Sequence, residues 1–322
     1  MGFMAGMTRS LRAAAGVLAA AAVVAACGGG SSHETFVPTR LIAFGDESSV
    51  ITSDGHKYTI NALDANGALD CASNPIWIQV LATAYGFGFD QCKPTGVTNS
   101  QAVSNAAADA KVANLAGQID GFLLGSDFTS KDLVTVLIGT NDIVEQYQQY
   151  PDPVQSADAI KSELATRGAT VAAQINRIAN AGAKVLAITV PDVGLTPFAV
   201  TEEAANPGRA ALLKEFSAAF NEALRLNLLN DGTKIGLVIE DELVQAYVSA
   251  GTAVFDNVTQ SACDLQVAQP PNCTTSTLLK DSGGTVIGSA STWLWADTLR
   301  LTPGGHSRLG SAALSRAQNN PF

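Results

Sequence analysis

Six charged and polar residues that follow or flank short apolar runs stand out as candidates for chemistry. They are Asp46, Glu47, Ser48, Asn141, Asp297 and Arg300. The hydroxyl of Ser48 is a nucleophile only if a neighbouring base takes its proton. Arg300 cannot be that base, because a guanidinium has no acceptor atom and stays protonated in proteins. With carboxylates it forms charge-assisted hydrogen bonds instead, so these residue types favour an ion pair over proton transfer.

The scaffold that positions these residues is expected to alternate strands with helices. Apolar runs bounded by turn residues predict buried strands at 41–44, 133–138, 184–190 and 235–239. Helical periodicity predicts a helix that starts at Asn74 and Pro75, and further helices over 160–178, 211–229 and, after a Thr302 cap, 303–316. This alternation predicts a parallel sheet covered on both faces, with its chemistry in the loops beyond the carboxyl ends of the strands.

Four segments resemble the sequence blocks of a known family, the GDSL or SGNH hydrolases, which are esterases and lipases. The segments are Ala43-Phe44-Gly45-Asp46, Ile138-Gly139-Thr140-Asn141-Asp142, Val190 to Pro197, and Asp297 to His306. They occur in the family's order over most of the chain. The resemblance implies an α/β fold of the flavodoxin-like type, a three-layer α/β/α sandwich around a parallel sheet of about five strands. It implies no cofactor.

The same resemblance implies that the residues which do the family's chemistry are exchanged. The position of the nucleophilic serine holds Glu47, and the position of the histidine base, three residues after Asp297, holds Arg300. The second-block glycine that donates to the oxyanion is missing from 105–110, while Asn141 remains as an oxyanion-type donor. Because nucleophile and base lie within hydrogen-bonding reach in the family, Glu47 and Arg300 are expected to form an ion pair, with Asp297 on the other side of the guanidinium.

Other interpretations of these residues remain open. Ser48 either caps a helix after the first strand or acts as a nucleophile one position late. His306 is a candidate for a displaced base. Glu47 and Asp297 could form a glycosidase-like pair of carboxylates, although the guanidinium between them would keep both ionised. Asn141 either holds a ligand carbonyl or a water, or stabilises the turn after its strand.

The amino-terminal segment predicts export and lipid attachment. Arg9 and Arg12 precede an apolar run that is too short for the ~20 residues of a bilayer core and ends in Val24-Ala25-Ala26-Cys27. That ending resembles a bacterial lipobox, in which the cysteine becomes the lipidated first residue. We predict a signal peptide at 1–26, the lipidated Cys27 and a flexible tether at 27–39, and one hydrolase-like domain at 40–322. The expected location is the cell envelope, facing the periplasm and anchored to the outer membrane.

Composition and cysteine count limit the partners. The formal net charge of −10 repels nucleic acid and anionic lipid, so membrane contact is expected through the anchor alone. The four remaining cysteines predict two disulfides, and short loop closure favours the pairs Cys71–Cys92 and Cys263–Cys273. No metal site is expected, because the cysteines lack paired C-x-x-C units and the histidines are scattered. The protein is expected to be a monomer.

Two functional hypotheses follow from this sequence. In the first, hydrolysis is lost or strongly impaired, and the chain is an envelope binding or structural protein whose cleft accepts acyl, ester or glycan ligands. In the second, it is an active carboxylic-ester hydrolase that uses Ser48 or a non-standard arrangement.

Overall fold

A five-stranded parallel sheet lies at the centre of the computed structural model, with the strand order β4-β1-β5-β6-β7. The structure describes residues 36–93, 96–98, 100–150 and 155–322. The predicted signal peptide, Cys27 and most of the tether lie outside the described residues. The strands are β1 (Arg40–Gly45), β2 (Ala62–Leu63), β3 (Leu69–Asp70), β4 (Ala102–Ser104), β5 (Asp132–Leu137), β6 (Lys184–Ile188), β7 (Ile235–Val238), β8 (Asn257–Ser261) and β9 (Trp293–Trp295).

Helices flank the sheet in two groups. They are α1 (Trp77–Ala84), α2 (Val112–Leu123), α3 (Thr140–Gln148), α4 (Ala157–Asn180), α5 (Pro197–Ala205), α6 (Arg209–Asn227), α7 (Glu240–Ala250) and α8 (Pro303–Asn319). α1 packs along α8, and α4 packs along α6 and contacts α2 and α3. All six residues of β5 are buried, as expected for a parallel strand with helices on both faces. The predicted three-layer α/β fold is therefore confirmed, and Phe36–Phe322 form one compact unit.

The sequence predicted most of these elements and missed some of their ends. All four predicted strands are present, whereas the three-residue edge strand β4 was not predicted. The first helix begins at Trp77, not at Asn74 and Pro75, because Asn74 has a left-handed backbone with φ of +52°. Thr302 caps α8 as predicted, with its hydroxyl accepting the Gly305 N–H at 3.2 Å.

Both predicted disulfides, Cys71–Cys92 and Cys263–Cys273, are confirmed. The first lies beside a buried lysine, Lys57, whose Nζ donates to the carbonyl oxygens of Cys71, Ser73 and Asn74 at 2.8 to 2.9 Å. Three carbonyl acceptors satisfy all the protons of an ammonium group, so Lys57 fixes the chain that enters α1.

Among the described residues, no helix combines the length and the apolar composition needed to cross a membrane.

Candidate active site

The end of β1 is held in place by a close backbone approach and by one side chain from α2. Gly45 has φ of +141°, and a Cβ there would lie 1.9 Å from the carbonyl oxygen of Leu137, so only glycine fits. The Gln118 side chain accepts the Gly45 N–H at 2.9 Å and donates to the Gly45 carbonyl oxygen at 2.8 Å. The chain therefore leaves the sheet in one fixed direction.

A short 3₁₀ turn, Glu47–Ser49, follows directly. Asp46 caps this turn, since its Oδ1 accepts the Ser48 N–H at 3.0 Å. The interpretation in which Ser48 caps a helix after the first strand is therefore wrong, because the carboxylate of Asp46 takes that role. Ser48 is half-buried, and no histidine of the described residues hydrogen-bonds to it.

The guanidinium of Arg300 lies between two carboxylates. Its Nη2 donates to Glu47 Oε1 at 2.8 Å, and its Nη1 donates to Asp297 Oδ2 at 2.6 Å. The side chains of Glu47 and Asp297 are only 5% and 6% exposed, and that of Arg300 is 20% exposed. Burial acts to lower the pKa of Arg300, but Asp297 and Glu47 outweigh it, so the pKa is raised and the guanidinium is even less able to accept a proton.

Asp297 and Tyr58 hold Arg300 independently of Glu47. Asp297 Oδ1 accepts the backbone N–H groups of Leu299 and Arg300 at 2.8 and 2.7 Å, which fixes the turn that carries the guanidinium. The ring of Tyr58 lies 5.5 Å from the guanidinium carbon, within the range of a cation–π contact. Tyr58 was not identified from the sequence, because its loop carries no motif.

The second carboxylate oxygen of Glu47 accepts hydrogen bonds from two donors. Glu47 Oε2 accepts from Asn141 Nδ2 at 2.8 Å and from the backbone N–H of Asp109 at 3.2 Å. Asn141 Nδ2 also donates to the Ala110 carbonyl oxygen at 3.1 Å, which orients the amide. These are the kinds of group that form an oxyanion hole.

Asp109 explains how a segment without glycine still supplies a backbone donor. Its φ is +55°, a left-handed conformation that glycine adopts freely and that aspartate tolerates better than most residues. Residues 105–110 contain no glycine that could take this conformation. Aspartate's tolerance of this conformation is the signal that could have identified Asp109.

We call Glu47, Asp109, Asn141, Asp297 and Arg300 the substituted site. A serine hydrolase needs a hydroxyl, a proton acceptor and free donors for the oxyanion. The substituted site instead contains a carboxylate and a guanidinium that hydrogen-bond to each other, and the amide donors of Asn141 and Asp109 are already bonded to that carboxylate. The arrangement therefore supports charge pairing.

Two further carboxyl groups are buried near the substituted site. Burial and then the Glu47 charge raise the pKa of Asp46 to about 8. Burial, followed by the charges of Asp46 and Asp241, raises the pKa of Glu240 well above its ordinary value. Asp46 Oδ2 and Glu240 Oε2 have no hydrogen-bond partner within the described part of the chain. Burial therefore favours the neutral form of both carboxyl groups.

The remaining predicted residues lie apart from this chemistry. His306 is buried on α8, where burial lowers its pKa to about 3, and neither ring nitrogen has a partner among the residues the structure covers. It is not placed as a base for Ser48. Trp77 and Trp295 are buried in the core. The described ranges contain no group of three or more histidine, cysteine, aspartate or glutamate side chains suited to a metal ion.

A cavity of about 620 Å³ begins beside Asp109. Several charged side chains on its walls form ion pairs: Lys111 contacts Glu145, and Arg167 Nη1 donates to Asp142 Oδ1 and Glu145 Oε2 at 2.8 Å each.

Comparison with known proteins finds similar solved structures and a matching family model. One similar solved structure is a member of the lipolytic G-D-S-L family from Veillonella parvula, with 12% identity, a TM-score of 0.42 and coverage of 86% of this chain and 96% of that one. Another is Axe2, an acetylxylan esterase from Geobacillus stearothermophilus, with 12% identity, a TM-score of 0.43 and coverage of 90% and 99%. No curated protein sequence matches the chain. The family model described as GDSL-like lipase/acylhydrolase matches residues 41–311, and the chain belongs to that family.

Proposed function

We propose that this protein is a member of its family that has lost ester hydrolysis and acts by binding. The observation that carries the proposal is the position of the Glu47 carboxylate. One oxygen accepts a hydrogen bond from Arg300, and the other accepts hydrogen bonds from the Asn141 side chain and the Asp109 backbone N–H.

Both halves of the family's chemistry are blocked by this arrangement. An ester carbonyl could reach Asn141 Nδ2 and the Asp109 N–H only after the Glu47 carboxylate had moved away. If the carboxylate stayed, a second negative charge ~4 Å away would cost about 4 kcal/mol at an effective dielectric of ~20. That cost is roughly a thousandfold in rate. Arg300 adds no base that could offset it.

The charged and hydroxyl-bearing side chains of the cavity beside Asp109 support a ligand that forms several hydrogen bonds. In ligand pockets, a few placed polar groups fix the orientation of the ligand and give specificity. Here the walls carry Lys111, Glu145, Glu163 and Arg167, together with the hydroxyl groups of two threonines. Of the acyl, ester and glycan ligands considered from the sequence, we therefore favour a glycan or a similarly hydroxylated ligand.

The proposed setting is the bacterial cell envelope. Two disulfides are typical of chains that mature in an oxidising compartment. The lipobox-like segment that ends at Cys27 supports attachment by an acyl anchor, with the folded unit facing the periplasm as a monomer at the outer membrane.

A serine-directed fluorophosphonate probe together with a chromogenic acetyl ester tests the loss of hydrolysis. We expect neither labelling nor turnover above a Ser48→Ala variant. A double variant, Glu47→Ser with Arg300→His, is the matched positive control and should gain labelling at residue 47. Stoichiometric labelling of the unmodified chain at Ser48, with ester turnover, would show instead that it is an active carboxylic-ester hydrolase.

A further inference from the structure

The donors around Glu47 form a site that remains assembled when the Glu47 side chain is taken away. Arg300 is fixed by Asp297 at 2.6 Å, and Asn141 is fixed by the Ala110 carbonyl oxygen at 3.1 Å. The Asp109 N–H belongs to the backbone. None of the three donors depends on the Glu47 carboxylate for its position.

The three donors fit the shape of one carboxylate. Arg300 Nη2 serves one oxygen at 2.8 Å, while Asn141 Nδ2 and the Asp109 N–H serve the other at 2.8 and 3.2 Å. Carboxylates are the anions that such a planar arrangement of a guanidinium and amide donors prefers. We infer that Asp109, Asn141 and Arg300 form a binding site for a short carboxylate, whose resident ligand is the chain's own Glu47.

This inference rests on the proposed function, because it gives the physical reason why the oxyanion donors are closed to an ester. A ligand tethered to the same chain is present at a high effective concentration and needs little further ordering to bind. A carboxylate in solution therefore cannot compete with Glu47 in the unmodified protein. Truncation of Glu47 at Cβ removes a group of the same size and charge as an acetate ion, which leaves the site open to acetate.

The test is a titration of the Glu47→Ala variant with sodium acetate, followed by thermal unfolding and by calorimetric binding at constant ionic strength. We expect a saturable rise in Tm with acetate and with formate, because a ligand that binds only the folded state stabilises it. Sodium chloride and the neutral isostere acetamide should give no saturable rise. Addition of Asn141→Ala to Glu47→Ala should weaken acetate binding at least about tenfold, the factor that ~1.4 kcal/mol of lost hydrogen bonding produces.

Glu47→Gln is the matched control, because its amide fills the same space and closes the site to acetate. An acetate response of equal size in Glu47→Ala and Glu47→Gln would overturn the inference, as would no response in either. If Glu47→Ala does not fold in chloride, the refolding yield in acetate is compared with that in chloride. Recovery in acetate alone supports the site, and equal failure in both salts overturns it.

This result can be separated from the test of hydrolysis. Acetate binding is measured on a truncated variant and needs no catalysis. Labelling and ester turnover are measured on the unmodified chain. Ester turnover by the unmodified chain together with acetate binding by Glu47→Ala would contradict only the proposed function. Absence of both turnover and acetate binding would contradict only the inference of a carboxylate site.

Discussion

Replacing Arg300 with methionine should destabilise the fold, because it leaves Glu47 and Asp297 as neighbouring buried carboxylates without their cation. The methionine keeps much of the apolar length of the arginine side chain, so the loss is mainly electrostatic. The two carboxylates are 5% and 6% exposed, so water cannot fully replace the guanidinium.

The size of the effect follows from the burial of the pair. Removal of one partner from a buried ion pair typically costs ~3–5 kcal/mol. Because one fifth of the Arg300 side chain is exposed, solvent offsets part of this cost and we expect the lower end of that range, about 3 kcal/mol. For a domain of this size, ~3 kcal/mol lowers the melting temperature by about 6 °C.

Urea and thermal unfolding at neutral pH, followed by circular dichroism, measure this difference. Arg177→Met is the matched control, because Arg177 pairs with Asp120 at 2.6 Å while the two side chains are 43% and 60% exposed. Exposed pairs contribute ~1 kcal/mol or less. If Arg300→Met lost no more stability than Arg177→Met, the substituted site would not depend on its buried ion pair and our reasoning would be refuted.

Two further predictions concern the neighbouring backbone and carboxyl groups. The pKa of Asp46 is raised to about 8, so its contribution to stability is complete below about pH 4 and is lost as pH rises through 8. Between pH 5 and pH 9, the melting temperature of Asp46→Asn should therefore fall less than that of the unmodified chain. An equal fall in both proteins would contradict a buried proton on Asp46. Asp109→Val should lower the free energy of unfolding in urea by ~1–2 kcal/mol, because a β-branched residue resists a left-handed φ. Asp109→Gly should lower it less. The reverse order would show that residue 109 does not need a left-handed backbone.

The sequence predicted the sheet well because its strands are long, apolar and bounded by turn residues. Residues 41–44 of β1 are continuously apolar, and residues 133–137 of β5 are apolar except for Thr135; short runs of this kind between turn residues are typical of a buried strand. β4 has only three residues and is half-buried, so no pattern distinguishes it from a loop. The start of α1 was misplaced because the left-handed backbone at Asn74 depends on tertiary contacts, including the bond from Asn74 Nδ2 to the Ile60 carbonyl oxygen at 3.0 Å.

The substituted site was predictable in part. Residue types at fixed offsets indicated the pairing of Glu47, Asp297 and Arg300, and the distances of 2.8 and 2.6 Å are consistent with it. The contact of Asp109 with Glu47 was missed because it is made by a backbone N–H, which every residue but proline has, and its direction depends on φ. The assignment of these residues as a lost catalytic centre remains our proposal.

The Glu47–Arg300 bond joins residues 253 positions apart in the chain, which has a consequence for the order of folding. The first strand and the donors at 109 and 141 emerge from the ribosome or translocation pore long before the segment that carries Arg300. Until that segment arrives, the Glu47 carboxylate has its amide partners and lacks its counter-charge. An amino-terminal fragment that ends before residue 297 therefore lacks the counter-charge of Glu47, and we expect this carboxylate to be buried only late in folding.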